Sequence, residues 1–428
     1  MNRILFIIQS YPSEKSANTY CDEKIIRYLI QSGNYEVHCL CTRYNGQPNY
    51  EKLDDVHVHR WKRGVFWNIF TWAVHNESDW KSKLIYRIQR FLIRFKQAIM
   101  IPVYPIYEPI ACIKCANAAK QLCKKYKFDA VWADYFGLET LLAGYAVKKK
   151  YSQIHFVPVF WDALSGGLGA GYLPKGFTLS RMKKLEKKVF EIADMPIVLK
   201  SHEEHLKKIW KTADFVQKIK YLDIPRFDSA IRNSFDNSAG KFDKNKINIV
   251  FAGNMGLRDP EYVLKLLSVH NNKNNIVVWF FTSRKYEDTI LRISLRYNID
   301  VKVMGYVAHN ILESYLYDAD IFLNLGVDTD CLIPSKIFEY MSYGKMILST
   351  YINEKDPCIQ YFNHYPGAVQ IREGILRGKM EEDLISIESM LKMAKGFSFD
   401  CSKLEEMFYL NMPKAYYDAI EGLVATNQ

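Results

Sequence analysis

The chain has 428 residues, 49% of them hydrophobic and 25% charged. At ~100 to 200 residues per domain that is enough for two or three cores, and the composition excludes disordered, collagen-like and disulfide-scaffold classes. Fifty-eight Lys and Arg against 47 Asp and Glu leave a net charge of +11, a surplus that favours anionic partners such as phosphates, acidic lipid surfaces or nucleic acid without choosing among them.

The opening Arg3 to Ser10 reads as an apolar strand running into a polar turn; a helical pattern from Thr19 to Ile30 and a second strand, Tyr35 to Thr42, complete a βαβ unit. The apolar start is too short for a secretory signal, and no uncharged apolar run reaches the ~18 residues needed to cross a bilayer, so a soluble or peripherally attached protein is expected. Between Arg60 and Met100 nine Lys or Arg stand against Glu77 and Asp79 with several Trp interleaved. Within this stretch Leu84, Ile88, Phe91, Leu92 and Phe95 form one helical stripe, and Arg87, Arg90 and Arg94 another. A basic amphipathic helix of this kind suits an anionic membrane; a packed helix with a solvated basic edge is the other reading. No nucleic-acid-binding module is present among these residues.

Ala111 to Lys125 reads as helix, so its Cys112-x-x-Cys115 pair is expected as buried thiols rather than metal ligands. The nine cysteines, odd in number and irregularly spaced, fit reduced thiols in a cytosolic setting. Strands over Asp129 to Tyr135, Ile154 to Trp161 and Met195 to Ser201 alternate with helices, as in a parallel sheet covered on both faces. The first domain is therefore placed at 1–220. Trp161, Asp162 and the glycine-rich Ser165 to Gly171 follow a strand end, where Asp162 is suited to orient or deprotonate an acceptor hydroxyl, or else to cap the next turn.

Residues 221–246 are polar and read as a linker. From Ile247 the alternation is clean: strands INIVFAG, IVVWFF, VKVMGYV, IFLNLG and MILST with helices between them, a doubly wound sheet over 247–395. Residues 396–428 form a helical tail expected to pack back on the first domain. The whole is α/β, two Rossmann-like doubly wound domains facing a cleft, with ligands at the carboxyl ends of the strands.

The segment PSKIFEYMSYG, Pro334 to Gly344, is the most informative. Pro334 suits the first turn of a helix and Gly344 its C-terminal cap. The free amides and positive dipole end would hold a diphosphate, with the Ser335 hydroxyl and Lys336 ammonium adding donors and Glu339, one turn deeper, accepting from two ribose hydroxyls. An amphipathic helix whose Lys336 and Glu339 merely pair with each other fits the same residues.

PSKIFEYMSYGKMIL resembles the donor-site signature of GT-B glycosyltransferases, in particular the family 4 group that builds bacterial surface polysaccharides. FAGNMGLRD resembles the first loop of that family's donor domain, MGYVAHN its base-contacting loop, and DADIFLNL the strand before the signature. The first half is similar only in layout. The resemblance implies transfer of a sugar from a nucleoside diphosphate sugar of UDP or GDP type, with retention of anomeric configuration and no cofactor. The acceptor would be a glycan or lipid-linked glycan, in the cytoplasm or on the inner face of the plasma membrane.

Carried across residue by residue, Glu339 matches the ribose ligand, and Pro334, Ser335 and Lys336 the phosphate end. Gly253, Asn254 and Gly256 match the loop that lets backbone approach the donor, with Arg258 neutralising the departing phosphate, and Tyr306 and Val307 lie where backbone groups read the base. Trp161 with Arg87, Arg90 and Arg94 would serve the acceptor and membrane side. Many members carry a further glutamate eight positions before the ribose ligand; here Cys331 stands there, with Asp330 beside it as a substitute. Asp328 and Asp330 form an Asp-x-Asp pattern read as a solvated acidic loop, because the helix's own charge removes the need for a metal. A nucleotide-sugar epimerase or hydrolase, and a silent membrane-bound partner subunit of the same fold, are the rival readings.

Overall fold

The computed structural model describes residues 1–12, 17–44, 46–64, 85, 88, 92, 95, 97–135, 137–166, 173–227, 242–270, 275–328, 333–374 and 377–425. The chain divides into two compact units, Met1–Pro225 with Leu410–Gln428, and Arg226–Tyr409.

The first unit opens β1 (Asn2–Ile7), α1 (Ala17–Gln31), β2 (Tyr35–Thr42), β3 (Tyr50–Leu53) and β4 (Val56–Trp61). It continues with α2 (Pro109–Lys125), β5 (Ala130–Asp134), α3 (Leu138–Lys150), β6 (His155–Phe160), α4 (Lys175–Ile192), β7 (Ile197–Leu199), α5 (Glu203–Ile209) and β8 (Lys220–Leu222). The strands form one sheet in the order β3-β4-β2-β1-β5-β6-β7-β8, parallel except at the β3–β4 edge. The central strands AVWAD and HFVPVF are buried almost throughout, as a parallel sheet covered on both faces demands. The β3–β4 hairpin, which sequence patterning misses, turns on Asp54 and Asp55 with φ of 45° and 65°, a tight two-residue reversal that short polar side chains tolerate.

The second unit runs β9 (Ile247–Ala252), α6 (Glu261–Ser268), β10 (Ile276–Phe281), α7 (Glu287–Tyr297), β11 (Asp300–Val303), α8 (His309–Asp318) and β12 (Ile321–Asn324). Then come α9 (Lys336–Ser342), β13 (Met346–Tyr351), α10 (Cys358–Phe362), β14 (Ala368–Arg372), α11 (Arg377–Met393) and α12 (Lys403–Met407). Its sheet is parallel throughout in the order β11-β10-β9-β12-β13-β14, which is the doubly wound order with its reversal between β9 and β12. The sixth strand, β14, is half-buried and carries no clear two-residue alternation for sequence reasoning to find.

The tail holds two helices: after α12 and a 3-10 turn at Tyr409–Asn411, Pro413 starts α13 (Pro413–Ala425), since a proline fits a helix's first turn but not its interior. Within the first unit α13 lies on α1: the Tyr417 ring meets Tyr28 and Tyr35 edge-on at 5.7 and 5.8 Å, and the Tyr416 hydroxyl donates to the Asp223 carbonyl.

Candidate functional site

In a doubly wound sheet the strands on either side of the reversal send their following loops apart and leave a crevice at their carboxyl ends. In the second unit those loops follow β9 and β12. After β9 the chain passes through Gly253 and Gly256 with φ of 155° and 44°, the positive range that favours glycine. Among the described residues, chain neighbours aside, no atom lies closer than 3.9 Å to where a Cβ would sit on either glycine, so backbone conformation favours glycine there. The Asn254 carboxamide oxygen accepts from the Gly256 amide at 3.1 Å, and the Tyr286 hydroxyl meets both. Asn254 thus holds the loop's shape.

Arg258 ties the two loops together. Its Nε donates to the Leu325 carbonyl at 3.1 Å and its Nη1 to the Asn254 carbonyl at 2.7 Å. Burial lowers the pKa of its guanidinium, and Nη2 makes no hydrogen bond to the described residues. Beyond β12, Gly326 is dictated by crowding: a Cβ would lie 2.7 Å from the Thr350 carbonyl oxygen and the Tyr351 Cα on β13.

Helix α9 is anchored beneath these loops by its apolar face. Ile337, Phe338, Tyr340 and Met341 are buried, and the Tyr340 ring stacks on Phe322 of β12 at 4.4 Å. The Tyr340 hydroxyl accepts from the Ala252 amide at 2.8 Å and donates to the Ala252 carbonyl at 3.2 Å, which fixes the helix against the carboxyl end of β9. Gly344 closes the helix with φ 67°, its amide on the Met341 carbonyl at 3.0 Å. Pro334 and Ser335 precede the first turn, and the Ser335 side chain makes no capping bond.

On the other face, Lys336 Nζ lies 2.8 Å from both carboxylate oxygens of Glu339. Arg226 Nη1 lies 3.4 Å from Oε2 of the same carboxylate. The three side chains are only 24%, 13% and 12% exposed for Lys336, Glu339 and Arg226. This is the pairing expected of an amphipathic helix, but set into the protein and joined by a second cation, so these three side chains together carry one positive charge in excess. Sequence reasoning missed Arg226, which stands at the edge of a polar stretch with nothing in its spacing to mark it. Tyr306 is exposed and Val307 half-buried in the loop after β11. Asp328 accepts from the Asn353 carboxamide at 2.9 Å. Asp330 and Cys331 lie outside the described residues, as do Arg87, Arg90, Arg94 and the 167–171 part of the glycine-rich loop.

In the first unit Asp162 is open to solvent just past β6, while the surrounding protein raises its carboxyl above the usual range by desolvation. Trp161 corrects the expectation of an acceptor contact: it is buried, with its ring 6.0 Å from Tyr416, because it faces the core that α13 closes. Sequence reasoning also missed a fully buried pair of acids at this sheet's own reversal, Asp22 on α1 and Asp134 at the end of β5. Burial and the mutual proximity of the two carboxyls raise Asp22, and burial pushes Asp134 up to about 7. The Trp132 indole donates to Asp22 at 3.3 Å.

Cys112 and Cys115 are buried free thiols on α2, with burial raising both. Among the described residues one group has metal-ligand composition: Glu36, His38 and His57, with candidate ligand atoms within 4.8 Å of one another. Its geometry is that of a packed network. His38 already bonds Glu36 at 2.9 Å and His59 at 3.0 Å, and the His38 and His57 rings stack 13° from parallel, so their in-plane nitrogen lone pairs do not converge on one point.

No family model matches the chain, and no curated protein does. Solved structures do. An α,α-trehalose-phosphate synthase (UDP-forming) from Burkholderia vietnamiensis aligns over 100% of this chain and 99% of its own at 10% identity, with a TM-score of 0.61. Anabaena HepE in complex with UDP and glucose aligns over 99% and 100% at 12% identity, TM-score 0.57. A UDP-N-acetylglucosamine 2-epimerase aligns over 99% and 96% at 12% identity, TM-score 0.52. At such identities the likeness is one of fold, and the fold is GT-B: two Rossmann-like α/β units in one chain.

Proposed function

We propose that the chain is a glycosyltransferase that moves a sugar from a nucleoside diphosphate sugar, of UDP or GDP type, to a glycan or lipid-linked glycan, in the manner of the family 4 enzymes of surface polysaccharide synthesis. The observation that carries this reading is the half-buried group of Lys336 and Glu339 on α9 with Arg226, next to the glycine loop and Arg258, at the carboxyl ends of β9 and β12. Cations in excess over one carboxylate suit a diphosphate bonded to a pentose: the phosphates take the cations and the two hydroxyls take the acid.

Binding on this reading is an exchange of partners. Lys336 leaves Glu339 for the diphosphate and so turns the carboxylate toward the ribose hydroxyls, while the Nη2 of Arg258 faces the departing phosphate charge. Transfer on this reading rests on stabilising that leaving group, and retention of anomeric configuration is what the resemblance implies. Asp162, whose carboxyl is raised by desolvation, orients the acceptor hydroxyl. Calorimetry with UDP and GDP tests the site: Glu339→Ala and Lys336→Ala are expected to weaken binding, and unchanged affinity in both removes the assignment. The epimerase among the structural neighbours supports a second reading. Product analysis with and without an acceptor separates the two, since epimerisation proceeds without one.

A further inference from the structure

A buried polar side chain costs stability unless it is bonded, so polar residues at the ends of interior strands, where aliphatic ones would pack, are tied to particular partners. Strands β12 and β13 end in this way: Asn324, Ser349 and Thr350 are all buried, within the otherwise apolar runs IFLN and MILSTY. The Asn324 carboxamide donates to the Ser349 hydroxyl at 2.9 Å. Thr350 links three elements. Its hydroxyl donates at 2.5 Å to the carboxylate of Glu373, just past β14, and accepts from the Gly326 amide after β12 at 3.1 Å. A hydroxyl holds one proton, so committing that proton to Glu373 leaves a lone pair for Gly326. The carboxylate thereby sets which way the hydroxyl faces. Burial raises the Glu373 carboxyl, the Thr350 bond opposes the rise, and Asp259 adds to it. An aliphatic residue at 373 would escape that penalty but would offer Thr350 no acceptor.

The Gly326 amide and the Leu325 carbonyl belong to one peptide group, and that carbonyl accepts from Arg258 Nε at 3.1 Å. A peptide group is a rigid plane with its N–H and C=O on opposite edges, so a rotation that frees one displaces the other. The plane is also pressed onto β13: a Cβ on Gly326 would lie 2.7 Å from the Thr350 carbonyl oxygen and the Tyr351 Cα. Glu373, Thr350, the 325–326 peptide and Arg258 therefore form one series, running from the end of the last strand to a guanidinium on the loop after β9. The other bond of Arg258, to the Asn254 carbonyl at 2.7 Å, comes from its own loop. Its alignment with the loop after β12 rests on Leu325.

We propose that Glu373 and Thr350 are positioning residues that aim Arg258 at the phosphates of the nucleotide, acting through the Leu325–Gly326 peptide; this rests on the nucleotide reading of the site. Charge alone makes the opposite forecast, since removing an acid near an anion site strengthens anion binding. The test is calorimetry of the full chain with inorganic diphosphate, UDP and GDP. Glu373→Ala and Thr350→Val are expected to weaken binding of diphosphate and of the preferred nucleotide by roughly three- to tenfold. Glu373→Gln keeps an acceptor oxygen for Thr350, and Thr350→Ser keeps the hydroxyl, so both are expected to bind within about twofold of the wild type. Arg258→Ala is expected to weaken binding by itself, and Glu373→Ala added to it to cost nothing further, because the series then has no end. Three results overturn the inference and leave the nucleotide site standing: losses that add in the Arg258→Ala, Glu373→Ala double variant, a Glu373→Gln as weak as Glu373→Ala, or a Glu373→Ala that binds diphosphate as tightly as the wild type. A wild type that binds none of the three ligands overturns the nucleotide reading, and this inference with it.

Discussion

Because Lys336 holds both oxygens of Glu339 in the unliganded protein, the two residues should respond in opposite ways to the two halves of a nucleotide. A pair at this depth, 24% and 13% exposed, lies between the surface and buried limits, so breaking it costs about 1 to 2 kcal/mol. A charge-assisted bond from Lys336 to a diphosphate returns about 1.5 to 3 kcal/mol. Lys336→Ala should therefore weaken UDP or GDP binding by a net ~0.5 to 1 kcal/mol, roughly two- to fivefold, yet leave nucleoside binding unchanged or stronger, because the Lys336–Glu339 bond no longer has to break for the ribose. Glu339→Ala should reverse the pattern: nucleoside binding falls, while inorganic diphosphate binds more tightly to the released Lys336 and Arg226. The double variant should lose less nucleotide affinity than the two single losses added, since both break the same pair. Isothermal calorimetry with nucleoside, diphosphate and nucleotide reads all three. Equal losses for nucleoside and nucleotide in Lys336→Ala would refute the division of labour, and no loss in either variant would refute the site.

Tyr340→Phe removes the hydroxyl that the buried Ala252 amide donates to and should destabilise the second unit by about 1 to 3 kcal/mol in denaturant titration, with nucleotide affinity falling as α9 loosens from β9. Gly326→Ala drives a Cβ to 2.7 Å from backbone atoms of β13; a loss of about 1 to 3 kcal/mol is expected, visible as a lowered melting temperature, and an unchanged one would mean that the loop moves aside freely. The acid pair sets a pH dependence. With Asp134 raised to about 7 from an ordinary 3.8 and Asp22 raised with it, the folded state holds more protons than the unfolded between those values, so stability should fall as pH rises from about 4 to 7. Asp223, also buried and raised to about 7, adds to the same slope. Asp134→Asn should flatten the curve measured by urea unfolding across that range, and a slope unaltered by the substitution would place the titration elsewhere.

How far the sequence carries can be judged from particular elements. The second unit is legible because strands such as IVFA within β9 and IVVWFF are continuous apolar runs separated by helices with a strong apolar face. The elements that escape are short or mixed: β8 has three residues, and β4, VHVHRW, places His38's stacking partners His57 and His59 where apolar residues would announce a strand. Within the site, α9 and its Lys336–Glu339 pair are visible from a three-residue spacing on one helix. Arg226 is not, because it reaches Glu339 from 113 positions away and long-range pairing leaves no periodic trace. Trp161 fails for a related reason: a tryptophan at a strand end reads as a ligand platform, and only the return of α13 to the first unit shows it to be interior. Asp22 and Asp134 likewise lie 112 residues apart in sequence, and neither is unusual until the fold buries both.

The most direct measurement of the central claim is a crystal structure of the full chain soaked with UDP or GDP. The account expects the ribose hydroxyls on Glu339, the diphosphate on Lys336 at the start of α9, and the bond between those two side chains broken. Nucleotide bound with the Lys336–Glu339 pair intact, or bound away from the carboxyl ends of β9 and β12, would contradict it.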